Sequence, residues 1–373
     1  MIEADVVIVG AGPAGSTAAL NLAPTRRVVM IERLPQIPPR IGESLVPAAR
    51  RLFTDMGLWP SFEAEPHVPC YGNRSVWGSN EPVESDFMRG PDGHGWHLDR
   101  GRFDAWLRVV AIGRGARLLA PAQMEDIERS EGTWRLSLAT ATGKVGLTAR
   151  FLIDAGGRAA PLARRLGARR RRHDRLVCGW IHGGSFGSNG MTFIEAVEDG
   201  WWYTAPLPND RRVLAFHTDA NLASAGIARD REAMLRHATS ATHLSELLSS
   251  VKFTPDERSG FTAAHGAHLT PCAGEGWLAT GDAAINFDPL SSLGLFNALY
   301  TGLAAAEATE GYLLDAANAL SGYERTIADI RNVYAERLAL WYGTETRWRE
   351  CPFWRCRIET AHENARAPQA PHL

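Results

Sequence analysis

Three glycines near the start of the chain have the spacing of a dinucleotide-binding turn. Gly10, Gly12 and Gly15 are the glycines of the pattern GAGPAG. Gly10 permits a tight turn, Gly12 leaves room for a pyrophosphate beside the backbone, and Gly15 lets the following helix pack closely on the preceding strand. Glu32 follows about 20 residues after the turn, the distance at which an acid holds a ribose diol. This spacing predicts that the chain binds a dinucleotide.

A strand and a helix are predicted on either side of this turn. Residues 5–9 are rich in valine and isoleucine, as in a central strand buried on both faces. The helix 14–22 begins at Ala14 and directs its N-terminus at the phosphates. A second parallel strand, 28–31, ends at Glu32, and Arg33 follows directly. A lone glycine turn means little, but with the strand, the helix and the acid it favours dinucleotide binding over a purely structural turn.

Composition excludes several classes of protein. The chain has 373 residues, 45% of them hydrophobic, and a net charge of −2, which argues against a protein built mainly to bind nucleic acid. Its five cysteines are an odd number without CxxC spacing, so we expect neither a zinc site nor a disulfide framework. The first strand begins almost at Met1, and no apolar stretch reaches about 18 residues. We therefore expect no signal peptide, no membrane association and a cytoplasmic location.

A proline-rich loop, 35–39, leads into Arg40 and the tripeptide Gly42, Glu43 and Ser44. The prolines exclude a helix or strand interior, and Glu43 or Ser44 has a suitable side chain to cap a following helix. Behind the glycine turn, this tripeptide resembles the Gly-Glu-Ser signature of the flavin-dependent monooxygenases, in the branch that contains the flavin-dependent tryptophan halogenases. The resemblance implies that the segment, with Arg40 and Ser44, contacts the flavin.

Three later stretches carry the same resemblance. Arg100 begins RGRFDAWL, which is similar to the family's Arg-x-x-Phe-Asp-x-x-Leu helix, whose arginine contacts the flavin. Residues 151–158 resemble its Asp-Gly element. Asp282, after a predicted strand 278–280, matches the aspartate that binds the ribityl chain, and the helix starting at Gly294 and Leu295 matches the helix under the flavin. Five matches in the family's order imply FAD as the cofactor.

The resemblance implies an α/β fold of the p-hydroxybenzoate hydroxylase type. In this fold a Rossmann-like FAD-binding domain is interleaved with an antiparallel-sheet substrate domain and followed by a C-terminal helical segment. The predicted boundaries are 1–62, 98–172 and 265–318 for the FAD-binding domain, 63–97 and 173–264 for the substrate domain, and 319–373 for the helical segment. Alternation and spacing predict strands at 176–182, 191–196, 201–205 and 213–217, a turn at Asn209 and Asp210, and helices within 229–248 and 323–341.

Aromatic and imidazole side chains are the candidates for a substrate pocket. Alternation places Trp201 and Tyr203 on one face of a strand and Trp202 on the other. The aromatic rings of one face therefore either line a substrate pocket or only cover the sheet. His97 is a further candidate. A metal pair with His94 has no carboxylate at ligand spacing, so satisfied histidines and no metal site are favoured.

The absence of one lysine narrows the choice between subfamilies. Halogenases of this family depend on a lysine between the Gly-Glu-Ser segment and the Arg-x-x-Phe-Asp helix, and residues 45–99 contain none. Their Trp-x-Trp-x-Ile-Pro signature is also altered, to Trp201, Tyr203, Ala205 and Pro206. The chain more closely resembles the LodB, GoxB and QhpG-type flavoproteins of tryptophylquinone cofactor biogenesis.

This narrower resemblance implies a monooxygenase that hydroxylates a tryptophan in a precursor protein through a flavin C4a-hydroperoxide formed with O₂. The electrons would come from NAD(P)H or a flavin reductase. The precursor would be the small subunit of a quinohemoprotein amine dehydrogenase, or a lysine or glycine oxidase. A halogenase with a displaced lysine, an isoprenoid reductase and a maturation chaperone without turnover stay open as alternatives.

Catalytic residues are expected where the Gly-Glu-Ser and Gly-Asp segments meet. Glu43, Pro289 and Ser291 should border the reaction chamber, although no residue has the signature of a general base. The basic run 169–172 is expected to be a solvated surface or a docking site for an acidic partner.

Overall fold

A computed structural model describes residues 1–38, 40–187 and 189–358, without the side chain of Glu43. The first strands are β1 (Ile2–Glu3), β2 (Val6–Val9), β3 (Val28–Ile31), β4 (Glu43–Leu45), β5 (Val68–Cys70), β6 (Gly72–Val76), β7 (Val83–Asp86), β8 (Gly95–Leu98), β9 (Arg117–Leu119), β10 (Ala122–Ser130), β11 (Thr133–Thr140) and β12 (Gly143–Ala149). The later strands are β13 (Phe151–Asp154), β14 (Arg169–Arg172), β15 (Leu176–Gly184), β16 (Met191–Val197), β17 (Gly200–Leu207), β18 (Arg211–Asp219), β19 (Thr254–Ala263), β20 (Ala267–Thr270), β21 (Ala273–Gly274), β22 (Trp277–Ala279) and β23 (Ile285–Asn286). The helices are α1 (Pro13–Leu22), α2 (Ala49–Asp55), α3 (Trp59–Glu63), α4 (Arg100–Gly113), α5 (Pro161–Arg165), α6 (Ser224–Arg229), α7 (Arg231–Ala238), α8 (Thr242–Ser250), α9 (Gly294–Leu313) and α10 (Ala319–Thr344).

A six-stranded sheet in the order β21-β22-β13-β2-β3-β9 forms the first layer. The strands from β22 to β9 are parallel, and β2, β3 and β13 are fully buried, which explains their continuous apolar sequences. Helices α1 and α9 pack together beside this sheet. A Cβ at Gly302 would lie 2.5 Å from the carbonyl oxygen of Ala14, so the glycine permits this close helix contact.

A seven-stranded sheet in the order β19-β15-β18-β17-β16-β6-β7 forms the second layer. All its neighbours are antiparallel except the pair β16 and β6. Asn209 and Asp210 have φ values of 63° and 52°, so they form the predicted turn between β17 and β18. Trp201 packs with the C-terminal aromatic residues, whereas Trp202 packs on the opposite face with residues of α6, α7 and α8.

The predicted fold class is confirmed, because a Rossmann-like parallel sheet and an antiparallel sheet are built from alternating stretches of one chain and followed by a helix. Helix α10 contains the predicted helix 323–341. The helical stretch 229–248 is divided into α7 and α8, because residues 239–241 lie between them. None of the helices in the described ranges combines the length and the apolar character needed to span a bilayer.

One local prediction is wrong. Glu43 and Ser44 do not cap a helix, since they lie in β4, and α2 starts after Ala48 without a side-chain cap. At this place strand pairing with distant residues overrides the local pattern. The run Arg169–Arg172 forms β14, which pairs with β20 at the edge of a three-stranded sheet, and three of its four residues are exposed, as expected of a solvated surface.

Candidate active site

A cavity of about 780 Å³ lies between the two large sheets, within the size range of ligand sites. The structure brings thirteen of the predicted site residues to its wall. They are Gly10, Gly12, Ala14, Glu32, Arg33, Arg40, Ser44, Arg100, Tyr203, Asp282, Pro289, Gly294 and Leu295.

The glycine turn forms one end of the cavity. Gly10 has φ of 107°, and a Cβ there would lie 2.2 Å from the carbonyl oxygen of Ala155. Gly15 does not line the cavity, because its missing Cβ would lie 2.0 Å from the carbonyl oxygen of Gly10. A Cβ at Gly12 would meet no atom within 4 Å, so this glycine keeps open a space beside the N-terminus of α1. Such a helix end binds phosphate through its free N–H groups.

Glu32 is held in place at the end of β3. Its Oε2 accepts a hydrogen bond from the N–H of Ala11 at 3.2 Å, and its Oε1 accepts one from the N–H of Leu34 at 3.0 Å. Arg108 of α4 lies 3.4 Å from Oε2 and also donates to the carbonyl oxygen of Ala11 at 2.6 Å. Sequence reasoning missed Arg108, although its position eight residues after Arg100 places both arginines on one face of α4.

Arg100 lies one helical turn before its partner Asp104. Its Nε and Nη2 donate to the two carboxylate oxygens of Asp104 at 3.1 and 3.3 Å, and Arg40 lies 3.4 Å from the same carboxylate. Asp104 is 1% exposed and Arg100 is 7% exposed, so this paired charge is fixed inside the protein. The loop that precedes β4 is thereby joined to α4 at the cavity wall.

Asp282 lies after β22, near the carboxyl end of the parallel sheet. Its Oδ2 lies 3.6 Å from the Nε of Arg158, which also donates to the carbonyl oxygen of His265 at 2.7 Å. Asp154, in the Asp-Gly element, accepts hydrogen bonds from the N–H groups of Gly156, Leu162 and Ala163. Burial raises the pKa of Asp154 to about 6 in spite of these donors.

Asp288 begins the turn that closes the middle of the cavity. Its Oδ2 accepts a hydrogen bond from the hydroxyl of Tyr342 at 2.7 Å, and its N–H donates to the hydroxyl oxygen of Tyr334 at 2.7 Å. Burial raises its pKa to about 7. Asp288 is therefore a cavity-lining carboxyl that can hold or release a proton near neutral pH, and sequence reasoning did not single it out.

The three predicted catalytic residues differ in where they lie relative to the cavity. Pro289 lines the cavity, but Ser291 does not, because its hydroxyl donates to the carbonyl oxygen of Asp288 at 2.9 Å; Ser292 lines the cavity instead. The side chain of Glu43 lies outside the described part of the structure, so its catalytic role stays a prediction.

A small polar network on the opposite wall joins the three-stranded sheet β4-β8-β5 to the seven-stranded sheet. The hydroxyl oxygen of Ser44 lies 2.9 Å from Nδ1 of His97, 3.1 Å from Oγ1 of Thr192 and 3.4 Å from the hydroxyl of Tyr203. His97 is fully buried behind the wall, and burial lowers its pKa to about 4. Because its Nε2 faces the carbonyl oxygen of Gly190 at 3.4 Å, we assign the ring hydrogen to Nε2, and Ser44 then donates to Nδ1.

Trp201 lies one layer behind this wall. Its ring stacks on His217 with centroids 3.6 Å apart and an interplanar angle of 5°, and His217 rather than Trp201 lines the cavity. Burial lowers the pKa of His217 to about 3, so the ring is neutral at physiological pH. The substrate wall therefore presents neutral aromatic and polar groups.

A glycine turn at a helix N-terminus, an acid fixed on the next strand and a second, aromatic wall define a dinucleotide-dependent oxidoreductase. The open space at Gly12 and the ordered cofactor segments around one cavity fit FAD. A family model described as an FAD binding domain matches residues 3–299. The chain belongs to this FAD-binding family and is an FAD-dependent oxidoreductase.

Known proteins resemble the chain along almost its whole length. LodB of Marinomonas mediterranea is 27% identical over 359 residues, covering 95% of this chain and 96% of LodB. The solved structure of the myxobacterial chondrochloren halogenase CndH is 23% identical and matches 97% of this chain and 89% of its own with a TM-score of 0.87. That of QhpG, a peptidyl tryptophan dihydroxylase essential for tryptophylquinone cofactor biogenesis, is 23% identical and matches 100% and 81% with a TM-score of 0.75. At these identities the two structures establish the fold.

Proposed function

We propose that the enzyme is an FAD-dependent monooxygenase that hydroxylates a tryptophan side chain of a precursor protein during tryptophylquinone cofactor biogenesis. The positions of the lysines carry this proposal. Lys144 lies on β12, where it is 77% exposed and 3.0 Å from Glu125, and Lys252 lies between α8 and β19. No lysine is among the described residues that line the cavity. This arrangement favours oxygen transfer over halogenation, which in related enzymes depends on a lysine.

The similarity to LodB and to QhpG supports the choice of substrate. QhpG acts on a tryptophan within a polypeptide, and LodB matches this chain from end to end. The precursor would be the small subunit of a quinohemoprotein amine dehydrogenase, or a lysine or glycine oxidase. NAD(P)H or a separate flavin reductase would supply the electrons.

In this proposal, residues of one wall would bind the cofactor and residues of the other would position the substrate. Bound FAD, once reduced, supplies the activation of O₂. The N-terminus of α1 and Glu32 would hold the pyrophosphate and the ribose, while Arg100 and Asp282 would orient the remainder of the cofactor. Tyr203 and His217 would position the indole in a space from which bulk water is excluded. Asp288 would hold or release a proton at its Oδ2.

A comparison of two substrates tests this function. Holoenzyme, reductant and O₂ are incubated with free tryptophan and, separately, with the candidate precursor protein, with catalase present to remove free peroxide. Mass spectrometry should show one or two added oxygen atoms on a single tryptophan of the precursor and none on the free amino acid. Efficient turnover of free tryptophan would contradict a protein substrate.

A further inference from the structure

A second cavity, the arginine groove, opens beside the active site. It has a volume of about 810 Å³ and is lined by Arg158, Arg164, Arg169, Arg170 and Arg172, by His265 and by small residues. No carboxylate is among these lining residues. The groove thus concentrates positive charge on a chain whose net charge is −2.

Two of these arginines have structural partners. Arg170 donates to the side chain of Asn286 and to the carbonyl oxygens of Asp282 and Ala283, so it holds the cofactor segment in place. Arg158 is the partner of Asp282 described above. These two arginines therefore belong to the architecture of the active site.

The other three arginines of the groove do not hold the cofactor segment in place. Arg164, Arg169 and Arg172 are exposed and have no carboxylate partner within residues 1–38, 40–187 and 189–358. Burial lowers the pKa of His265, and the charges of Arg158, Arg172 and Arg170 act in the same direction, whereas the charge of Asp174 opposes them. Three unpaired cations in a concave site are arranged to bind anionic groups.

The groove is continuous with the catalytic cavity, since Arg158 and Ala159 line both. A ligand lying in the groove would therefore reach the catalytic cavity beside Arg158. Arg169 and Arg172 both line the groove and lie three residues apart on β14, so their Cα atoms are about 10 Å apart and their side chains leave opposite faces of the strand. Their charges therefore do not converge on one point. The lining also lacks the aromatic side chains on which single-stranded nucleic acids stack.

Resting on the proposed function, we propose that the arginine groove binds an extended acidic segment of the precursor polypeptide and guides its target tryptophan into the catalytic cavity. Aspartate and glutamate side chains along such a segment would pair with Arg164, Arg169 and Arg172. This binding accelerates encounter and weakens steeply with ionic strength.

A peptide-binding experiment tests the groove without any turnover. The probe is a fluorescein-labelled peptide of ten glutamates, titrated with holoenzyme and followed by fluorescence anisotropy at 20 and 200 mM NaCl. We compare wild type, the groove variant Arg164→Gln/Arg169→Gln/Arg172→Gln, and the control variant Arg236→Gln/Arg325→Gln/Arg337→Gln. The control removes the same charge from exposed helix positions. Flavin content and thermal stability report on folding of each variant.

The groove variant should bind the peptide about tenfold or more weakly than wild type at 20 mM NaCl, and the control variant should differ less than twofold. Equal binding by all three proteins would overturn the proposal and leave the arginines as protection for an edge strand. Displacement of the peptide by micromolar inorganic pyrophosphate would also overturn it in favour of a small-anion site. So would tighter binding of a single-stranded oligonucleotide.

The same variants separate this inference from the proposed function. If the groove variant loses peptide binding but wild type leaves the precursor unmodified, only the function fails. If the groove variant modifies the precursor at the wild-type rate, only the docking inference fails.

Discussion

The two walls of the active site bury ionisable groups of opposite kinds. On the cofactor wall, burial raises the pKa of Asp154 to about 6 and that of Asp288 to about 7. On the substrate wall, burial lowers the pKa of His97 to about 4 and that of His217 to about 3. Each shift favours the neutral form of the group. Burial thus moves the carboxyl and imidazole pKa values in opposite directions, and the two histidines of the substrate wall are neutral at pH 7.

The walls also differ in how they are built. The cofactor wall consists mainly of backbone turns at strand ends, where a missing Cβ leaves the required space. The substrate wall consists of side chains from two sheets, with Ser44 and His97 on the paired strands β4 and β8 and with Tyr203 and His217 on the paired strands β17 and β18. A substitution on the first wall should therefore act on cofactor binding, whereas one on the second should act on the environment of the substrate.

The largest effect is expected from two glycines of the glycine turn. Gly12→Val should leave the fold intact but weaken FAD binding by about 100-fold, or about 3 kcal/mol, because its side chain enters open space beside α1. Gly15→Val should instead destabilise the protein, because its Cβ would meet the carbonyl oxygen of Gly10. FAD titration and thermal unfolding of both variants measure the difference. A yellow, fully loaded Gly12→Val protein would refute the assignment of this space to the pyrophosphate.

Asp288→Asn should change the pH dependence of stability. Because the folded pKa of about 7 lies above the unfolded value near 4, ionisation of Asp288 destabilises wild type as pH rises through this window. The variant should therefore gain up to about 4 kcal/mol relative to wild type between pH 4 and pH 8. Urea unfolding at several pH values measures this, with Asp126→Asn as the exposed control. Parallel curves for Asp288→Asn and wild type would show that folding does not raise the pKa of Asp288.

His217→Phe should shift stability in the opposite direction. The folded pKa of His217 is about 3, below the unfolded value near 6.5, so wild type loses stability as pH falls below 6.5, where the unfolded chain takes up the proton. The phenylalanine variant, which can still stack on Trp201, should avoid about 2 kcal/mol of this loss between pH 6.5 and pH 5. The same unfolding series measures it, with His243→Gln as a control at a half-buried histidine. A difference that does not change with pH would contradict a neutral, buried imidazole.

The smallest effect is expected when bromide is added to the reaction. Because no described cavity residue is a lysine, reduced enzyme with O₂ and bromide should leave tryptophan and indole unbrominated. Mass spectrometry compares the products with those of free hypobromite at the concentration of peroxide released. Bromoindole above that control would reverse the order of monooxygenase and halogenase.

The sequence predicted the cofactor wall well because its signals are local. The glycine turn, Glu32 and the helix at Gly294 each lie in one short stretch whose spacing determines the geometry. The substrate wall was predicted only as strands with alternating faces. The turn at Asn209 and Asp210 predicted the pairing of β17 with β18, but not the register that places His217 opposite Trp201 at the cavity. Arg170 was missed for the same reason, since its partners lie more than 100 residues away.

The interleaving of the sheets affects how the protein is made. The central strand β2 pairs with β13, and β13 pairs with β22, which begins about 270 residues after β2. At roughly 5–20 residues per second, the ribosome needs more than about ten seconds to deliver that last strand. During this interval the apolar edge of β13 that pairs with β22 is unpaired, and the flavin has no complete site to bind. The yield of folded enzyme should therefore respond more to chaperones that protect the nascent chain than to the supply of flavin.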